Sequence, residues 1–398
     1  MVNNRFFPEV KGNFGFGCMR LPMLGDKVDE AQVSLMVDEF IAAGFNYFDT
    51  AHGYIGGQSE IAIKNCLTSR YPRSSYLLAD KLSPNFFEKE EDIRPYFDTM
   101  LEAAGVEYFD FFLMHAQSAG NYQKYKDCRA YEIAAELKAE GKIRHLGFSF
   151  HDSAEMLDTI LNEQPAVEFV QLQFNYLDYE DEGVQSRKCY EVCVKHGLPV
   201  VVMEPVKGGS LVNLPADALK VMEDLHGGSA ASYAIRFAAG FENVHMVLSG
   251  MSSMDQMLDN LSFMRDFKPL DETEQAAVKE VVRLFKAIPQ IGCTGCRYCT
   301  DGCPMSINIP TLFAAQNWAR QFGKDNAMWP WMRATKEGGK PSDCIGCGQC
   351  EAVCPQGLKI PEYLAELDNI VSKLPKWAEI SKKRAEEAEK LKREKEGK

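Results

Sequence analysis

An α/β chain that closes into a (β/α)8 barrel, followed by a small all-α domain, is the architecture this sequence predicts. Three observations predict it. From about residue 30 to 270, short runs of β-branched and aromatic residues alternate with longer amphipathic stretches. No G-x-G-x-x-G opens a helix after an early strand, so the main sign of an open dinucleotide-binding sheet is missing. Beyond about residue 290 the composition changes, and a four-cysteine run beginning at Cys293 returns 51 positions later at Cys344.

The expected strands are Phe45–Asp49, Tyr76–Asp80, Phe109–Met114, His145–Phe148, Phe169–Gln173, Pro199–Met203, Val244–Leu248 and, with the weakest pattern, Phe263–Phe267. Stretches such as AQVSLMVDEFIAAG and ALKVMEDLHGG separate them and carry apolar residues at helical spacing. Alternating strands and helices predict a parallel sheet covered by helices. Eight such units in about 240 residues fit a closed TIM barrel, with a doubly wound open sheet as the alternative. Residues 1–270 are assigned to the barrel and 271–289 to a helical linker. Residues 290–375 form the helical domain and 376–398 a charged tail, in which Glu386–Lys390 and Glu389–Arg393 would support an exposed helix.

A chain of 398 residues is long for one core, which agrees with two domains. The net charge of -13 and pI of about 5.2 argue against general affinity for nucleic acid or anionic membranes. The N-terminal MVNNRFFPEV lacks the basic-then-apolar pattern of a secretion signal. No run reaches the roughly 18 apolar residues that span a bilayer. A cytoplasmic protein is therefore expected, where thiols stay reduced. Its 13 cysteines then read as metal ligands sooner than as disulfides.

Eight of them fall in two matching runs, CTGCRYCTDGCPMSINIP at Cys293–Pro310 and CIGCGQCEAVCPQGLKIP at Cys344–Pro361. Each reads C-x2-C-x2-C-x3-C-P, then Ile-Pro at the start of a helix-like stretch. Thiolates are soft, charged donors suited to iron–sulfur iron, and the two-residue spacings let three sulfurs converge on one cubane. The region resembles a helical ferredoxin module with two 4Fe-4S clusters. In two-cluster ferredoxins of this spacing the fourth cysteine serves the other cluster. The resemblance thus implies one cluster on Cys293, Cys296, Cys299 and Cys354, and another on Cys344, Cys347, Cys350 and Cys303. Gly295, Gly302, Gly346 and Gly348 allow tight turns around them. Zinc, the alternative occupant, favours four ligands in two C-x2-C pairs. Cys18, Cys66, Cys128, Cys189 and Cys193 are scattered and read as packing residues.

In the barrel, four residues lie at or just after strand ends: Asp49, Tyr54 five positions later, Lys81 and His115. Catalytic groups gather at the C-terminal ends of barrel strands, so the four should share one pocket. Taken singly, Lys81 and His115 are unremarkable; the set at successive strand ends is informative. FGFGCMRLP, FDTAHGYIGGQSE, IRHLGFSF and VLSGMSSMDQMLDNL occur in the order, and with the character, of motifs in the aldo/keto reductase superfamily, which residues 1–270 resemble.

That resemblance implies NADP(H) or NAD(H) bound without a Rossmann fold, and a small carbonyl or alcohol substrate. Carried onto this sequence, Tyr54 is the general acid and Lys81 the cation that eases its ionisation. Asp49 holds Lys81, and His115 orients the carbonyl. Ser149 and Gln171 match carboxamide contacts, while Gly250, Gln256 and Asn260 match the segment around the adenosine end. Three positions depart from the family's pattern. Phe150 stands where an asparagine often assists, Met203 replaces a common stacking tyrosine, and Gln256 replaces an arginine that often grips a 2′-phosphate.

A hydride carries two electrons together, whereas a 4Fe-4S cluster passes one at a time. A flavin would reconcile the halves, although no flavin signature is present. The expected function is carbonyl reduction, or its reverse, with clusters that exchange electrons with a redox partner protein. The alternatives are an electron-transfer or sensing protein whose barrel binds a nicotinamide or flavin without turnover, and a reductase whose clusters only stabilise the C-terminal module.

Overall fold

The structure is a computed structural model that describes residues 6–225, 227–324, 328–336 and 338–374. The expected charged tail, with Glu386–Lys390 and Glu389–Arg393, lies outside the described residues. The chain divides into two compact units, Met1–Val212 with Leu225–Val278, and Asn213–Asp224 with Lys279–Lys398.

The first unit is a closed barrel of eight parallel strands: β1 (Phe14–Gly17), β2 (Tyr47–Asp49), β3 (Leu77–Leu82), β4 (Phe109–Gln117), β5 (Ile143–Phe150), β6 (Phe169–Gln173), β7 (Val200–Met203) and β8 (Val244–Gly250). Each strand pairs with its sequence neighbours, and β1 closes the ring against β8. Successive side chains point to opposite faces. In β3, Leu77 and Ala79 join Tyr47, Phe111, Phe169 and Val201 in the barrel interior, while Leu78 and Leu82 pack outward on the helices. The N-terminal segment adds Phe7 to the inner core, with its ring 5.1 Å from Phe111 and 4.5 Å from His145.

Two strand expectations need correction. Phe263–Phe267 is not a strand: the helix Met254–Met264 runs through Phe263 and Met264, with its register set by buried Met257, Asn260, Leu261 and Met264. The eighth strand is instead β1, in the FGFG segment. Its Phe14 and Phe16 pack outward, and Gly15 leaves room inside, where a methyl group would meet Leu248 at 2.7 Å. Glycine weakens a strand signal, so this segment does not look like one in sequence.

The second unit has its own core, built from Ile307, Ile309, Leu312, Phe313, Ile360, Leu364 and Leu367. Helices Ile309–Phe322 and Ile360–Val371 each begin with the proline that follows a cysteine run, where a missing N–H costs nothing. No described helix is long and apolar enough to cross a membrane.

Candidate functional site

The C-terminal ends of β2, β3 and β4 bring together the polar residues expected to meet there. Lys81 is fully buried, and its Nζ donates to Asp49 Oδ1 at 2.6 Å and to the Thr50 carbonyl at 2.6 Å. The same ammonium lies 4.9 Å from the centre of the Tyr54 ring. The Tyr54 and His115 rings stand edge to face at 5.9 Å. A shift in the β4–β5 pairing between Met114 and Gln117 frees His115 and Ala116 from the regular ladder, and Ala116 adopts φ 54°. Such an irregularity re-aims a side chain, here leaving His115 Nδ1 2.6 Å from the Ser83 hydroxyl.

Burial opposes a charge on Lys81, but the Asp49 carboxylate beside it prevails and holds its pKa above the ordinary lysine value. Burial likewise raises Tyr54 while the Lys81 cation pulls it down, and the net displacement is upward. Sequence alone suggests a lowered value; burial wins in the structure, and Tyr54 keeps its proton at neutral pH. Burial first, and Lys81 second, push His115 down to about 3, so its imidazole is neutral.

Ser149 and Gln171 lie opposite each other in the β5–β6 register. The Ser149 hydroxyl accepts from the Ala116 amide at 2.7 Å, and Gln171 Nε2 donates to Asp49 Oδ2 at 3.1 Å. Asp49 therefore joins the lysine to the glutamine. Gly250 ends β8 beside Gly17 of β1. Gln256 turns its amide oxygen onto the Ser252 N–H at 2.7 Å, and Asn260 donates to the Ser249 hydroxyl at 2.8 Å. Asn260 is buried, so its amide is committed to the end of β8.

Sequence reasoning missed two features. Arg20 runs along Gly250, where an added methyl group would meet its stem at 3.4 Å, and its guanidinium reaches Gly208. Behind β3, the carboxyls of Asp80 and Glu60 are buried near each other, each with one oxygen that has no hydrogen-bond donor among the described residues, and Glu60 Oε2 lies 2.8 Å from His52 Nδ1. An aspartate within the apolar run YLLADK was the available signal for the second.

In the other unit the eight cysteines divide between two recesses. Cys293, Cys296, Cys299 and Cys354 line one; Cys344, Cys347, Cys350 and Cys303 line the other; Ile309 forms a wall of both. Gly295 and Gly346 occupy matching left-handed positions at φ 70° and 66°, so each loop can wrap its recess. Among the described residues no three His, Cys, Asp or Glu side chains close into a single-ion site. A cubane is larger than one ion and takes its thiolates at its corners, so apolar recesses with four thiols around each fit it. The five remaining cysteines are all buried.

A closed parallel barrel with a lysine, aspartate, tyrosine and histidine at adjoining strand ends, followed by a cysteine-rich helical module, defines an iron–sulfur barrel oxidoreductase. The chain belongs to the aldo/keto reductase family, whose profile matches residues 13–283, and it carries a C-terminal 4Fe-4S dicluster domain matched over residues 292–359. It is similar to L-galactose dehydrogenase of Arabidopsis thaliana, 23% identical over 70% of this chain and 91% of that protein. NADH-specific methylglyoxal reductase of Escherichia coli is 25% identical over 42% of this chain and 54% of that protein. The holo form of an aldo-keto reductase from Bacillus halodurans shares the fold at a TM-score of 0.56 and 24% identity, covering 68% of this chain and 91% of that one. An aldo-keto reductase from Klebsiella pneumoniae in complex with NADPH matches at a TM-score of 0.56 and 19% identity, over 68% and 90%.

Proposed function

We propose that the barrel reduces a small aldehyde or ketone with NADPH or NADH, or runs the reverse oxidation, and that two 4Fe-4S clusters in the second unit exchange electrons with a redox partner. The observation that carries the reading is the buried Lys81–Asp49 pair placed under the Tyr54 ring. The nicotinamide, when bound, supplies a hydride to the carbonyl carbon. Tyr54 gives the carbonyl oxygen its phenolic proton, and the Lys81 cation stabilises the phenolate left behind. Asp49 keeps Lys81 charged and in place. Neutral His115, held by Ser83, donates a hydrogen bond that orients the carbonyl. Ser149 and Gln171 are suited to the nicotinamide carboxamide, and Gly250 and Gln256 to the adenosine end, with buried Asn260 holding the end of β8 in place beneath it. Relatives named for NADH and for NADPH leave both nicotinamides within the reading.

Exchange between hydride and clusters needs a group that takes two electrons and releases them singly, which is flavin chemistry. The cysteines would hold the clusters in the crossed sets that line each recess. The test is anaerobic purification followed by NADPH, with and without a panel of small aldehydes. Aldehyde-dependent NADPH oxidation that falls about 10²- to 10⁴-fold in Tyr54→Phe is expected. Turnover that survives Tyr54→Phe removes the assignment. Cluster bleaching by NADPH without any aldehyde turnover favours the electron-transfer protein instead.

A further inference from the structure

The two cysteine runs coincide residue by residue, so their differences stand out. Arg297 occupies the position that Gly348 holds in the second run, and both adopt the left-handed conformation, at φ 68° and 74°. Each caps the short helix that carries the third cysteine, Tyr298–Asp301 and Gln349–Ala352. The turn suits glycine, and any other side chain held there is strained. Strain of this kind persists where something else requires the residue. Among the described residues the Arg297 guanidinium has no hydrogen-bond or ion-pair partner, so its place is not explained by a structural contact. Arg297 is exposed and lines the recess with Cys293, Cys296, Cys299 and Cys354.

A second difference lies three residues on. The Thr300 hydroxyl, next in sequence to Cys299, is buried without a hydrogen-bond partner among the described residues and so is free to donate to a cluster sulfur, whereas its counterpart Glu351 adds a carboxylate. The fourth-ligand segments differ in the same sense, with Gln356 lining the first recess and Met305 the second. Asp301 opposes the trend in sequence but, unlike Arg297, does not line the recess.

Reduction adds one electron, and hence one negative charge, to a cluster already bound by four thiolates. A nearby cation and hydrogen bonds to the sulfurs stabilise that added charge and raise the potential. We propose that the two clusters are a graded pair, in which the one held by Cys293, Cys296, Cys299 and Cys354 is reduced first because Arg297 and Thr300 stabilise its reduced form. The proposal rests on the reading that both recesses hold clusters. The first cluster is then the resting place of an electron delivered by a one-electron donor, and the second is the more reducing of the two.

The test is a dithionite potentiometric titration of the full chain, followed by electron paramagnetic resonance under anaerobic conditions, with iron and sulfide assayed on the same samples. Arg297→Gly restores the residue that the sister run uses at this turn, so folding is not at risk. The wild type is expected to reduce in two steps. In Arg297→Gly the upper step should weaken about three- to tenfold in its reduction equilibrium, where tenfold is 59 mV for one electron, and the lower step should stay in place. Thr300→Val should move the same step in the same direction, and Gly348→Arg should raise the lower one. A single unresolved step in the wild type overturns the grading. So does an Arg297→Gly chain with both potentials unchanged, including one whose only defect is slower reduction by a protein donor. Iron and sulfide short of two clusters defeats the underlying reading, and that result is separate from cluster-replete protein with equal potentials.

Discussion

Asp80 and Lys81 are neighbours in β3 that face opposite ways, and their chemistry divides accordingly. Inside the barrel, Lys81 is tied to Asp49 and the Thr50 carbonyl. Lys81→Met should leave Asp49 buried with only the Gln171 amide, and losing one partner of a buried pair costs about 3–5 kcal/mol. Thermal unfolding should report that loss together with the loss of turnover. Outside the barrel, burial raises both Asp80 and Glu60, and the Asp80 charge further opposes ionisation of Glu60, so the pair retains a proton. The folded state thus binds a proton that the unfolded chain has already released. The stability this pair confers is complete below the ordinary carboxylate range and falls as pH rises from there through neutrality, at about 1.4 kcal/mol per pH unit for one retained proton. Asp80→Asn should flatten the decline in melting temperature between pH 5 and 8, and an unchanged slope would show that the pair does not retain its proton. His115 acts in the other direction: its lowered pKa means that acidification below about 6.5 protonates the unfolded chain first and destabilises the barrel. The convergence of Asp49, Tyr54, Lys81 and His115 was legible because they lie at or just after successive strand ends. The Asp80–Glu60 pair was not, because strand patterning says which face a residue takes but not which helix side chain meets it there.

At the scale of the element, six of the expected strands lie inside or across observed ones, and Phe169–Gln173 coincides with β6. Error collects where glycine or aromatic residues carry the pattern. β1 escaped notice because alternate glycines leave no inward side chain to read, whereas Phe263–Phe267 offered apolar residues that belong to a helix face. The barrel needs such glycines where strands crowd. Gly147 in β5 faces Phe169 in β6, and an added methyl group would meet the Phe169 ring at 2.6 Å and its backbone carbonyl at 2.7 Å. A ring can turn, but a strand carbonyl bound into the sheet cannot. Gly147→Ala should therefore lower stability by about 1–3 kcal/mol, at the upper end for an overpacked site, read as a lower urea midpoint with an unchanged slope.

For the molecule as a whole, the two units draw on different sources of stability. The barrel carries an extensive apolar core both inside and outside its strands. The core of the second unit is smaller, and Cys293, Cys303, Cys344, Cys350 and Cys354 pack against it. Small modules with limited cores depend on staples such as bound metal. Each recess takes three cysteines from one run and one from the other, so occupied sites would cross-link the two halves of the repeat. The repeat itself was plain in the sequence, because the cysteine spacing is read directly and does not depend on any reading of secondary structure. Binding energy at such sites is folding energy, since the unfolded chain has no formed site. Anaerobic calorimetry of the iron-loaded chain should show two transitions. Stripping the iron with a chelator should abolish or strongly lower one of them, and leave the other at the temperature at which carbonyl turnover is lost. A chain that melts identically with and without iron would mean that the helical core suffices alone. A barrel transition that falls together with the iron would mean that the two cores do not stand independently.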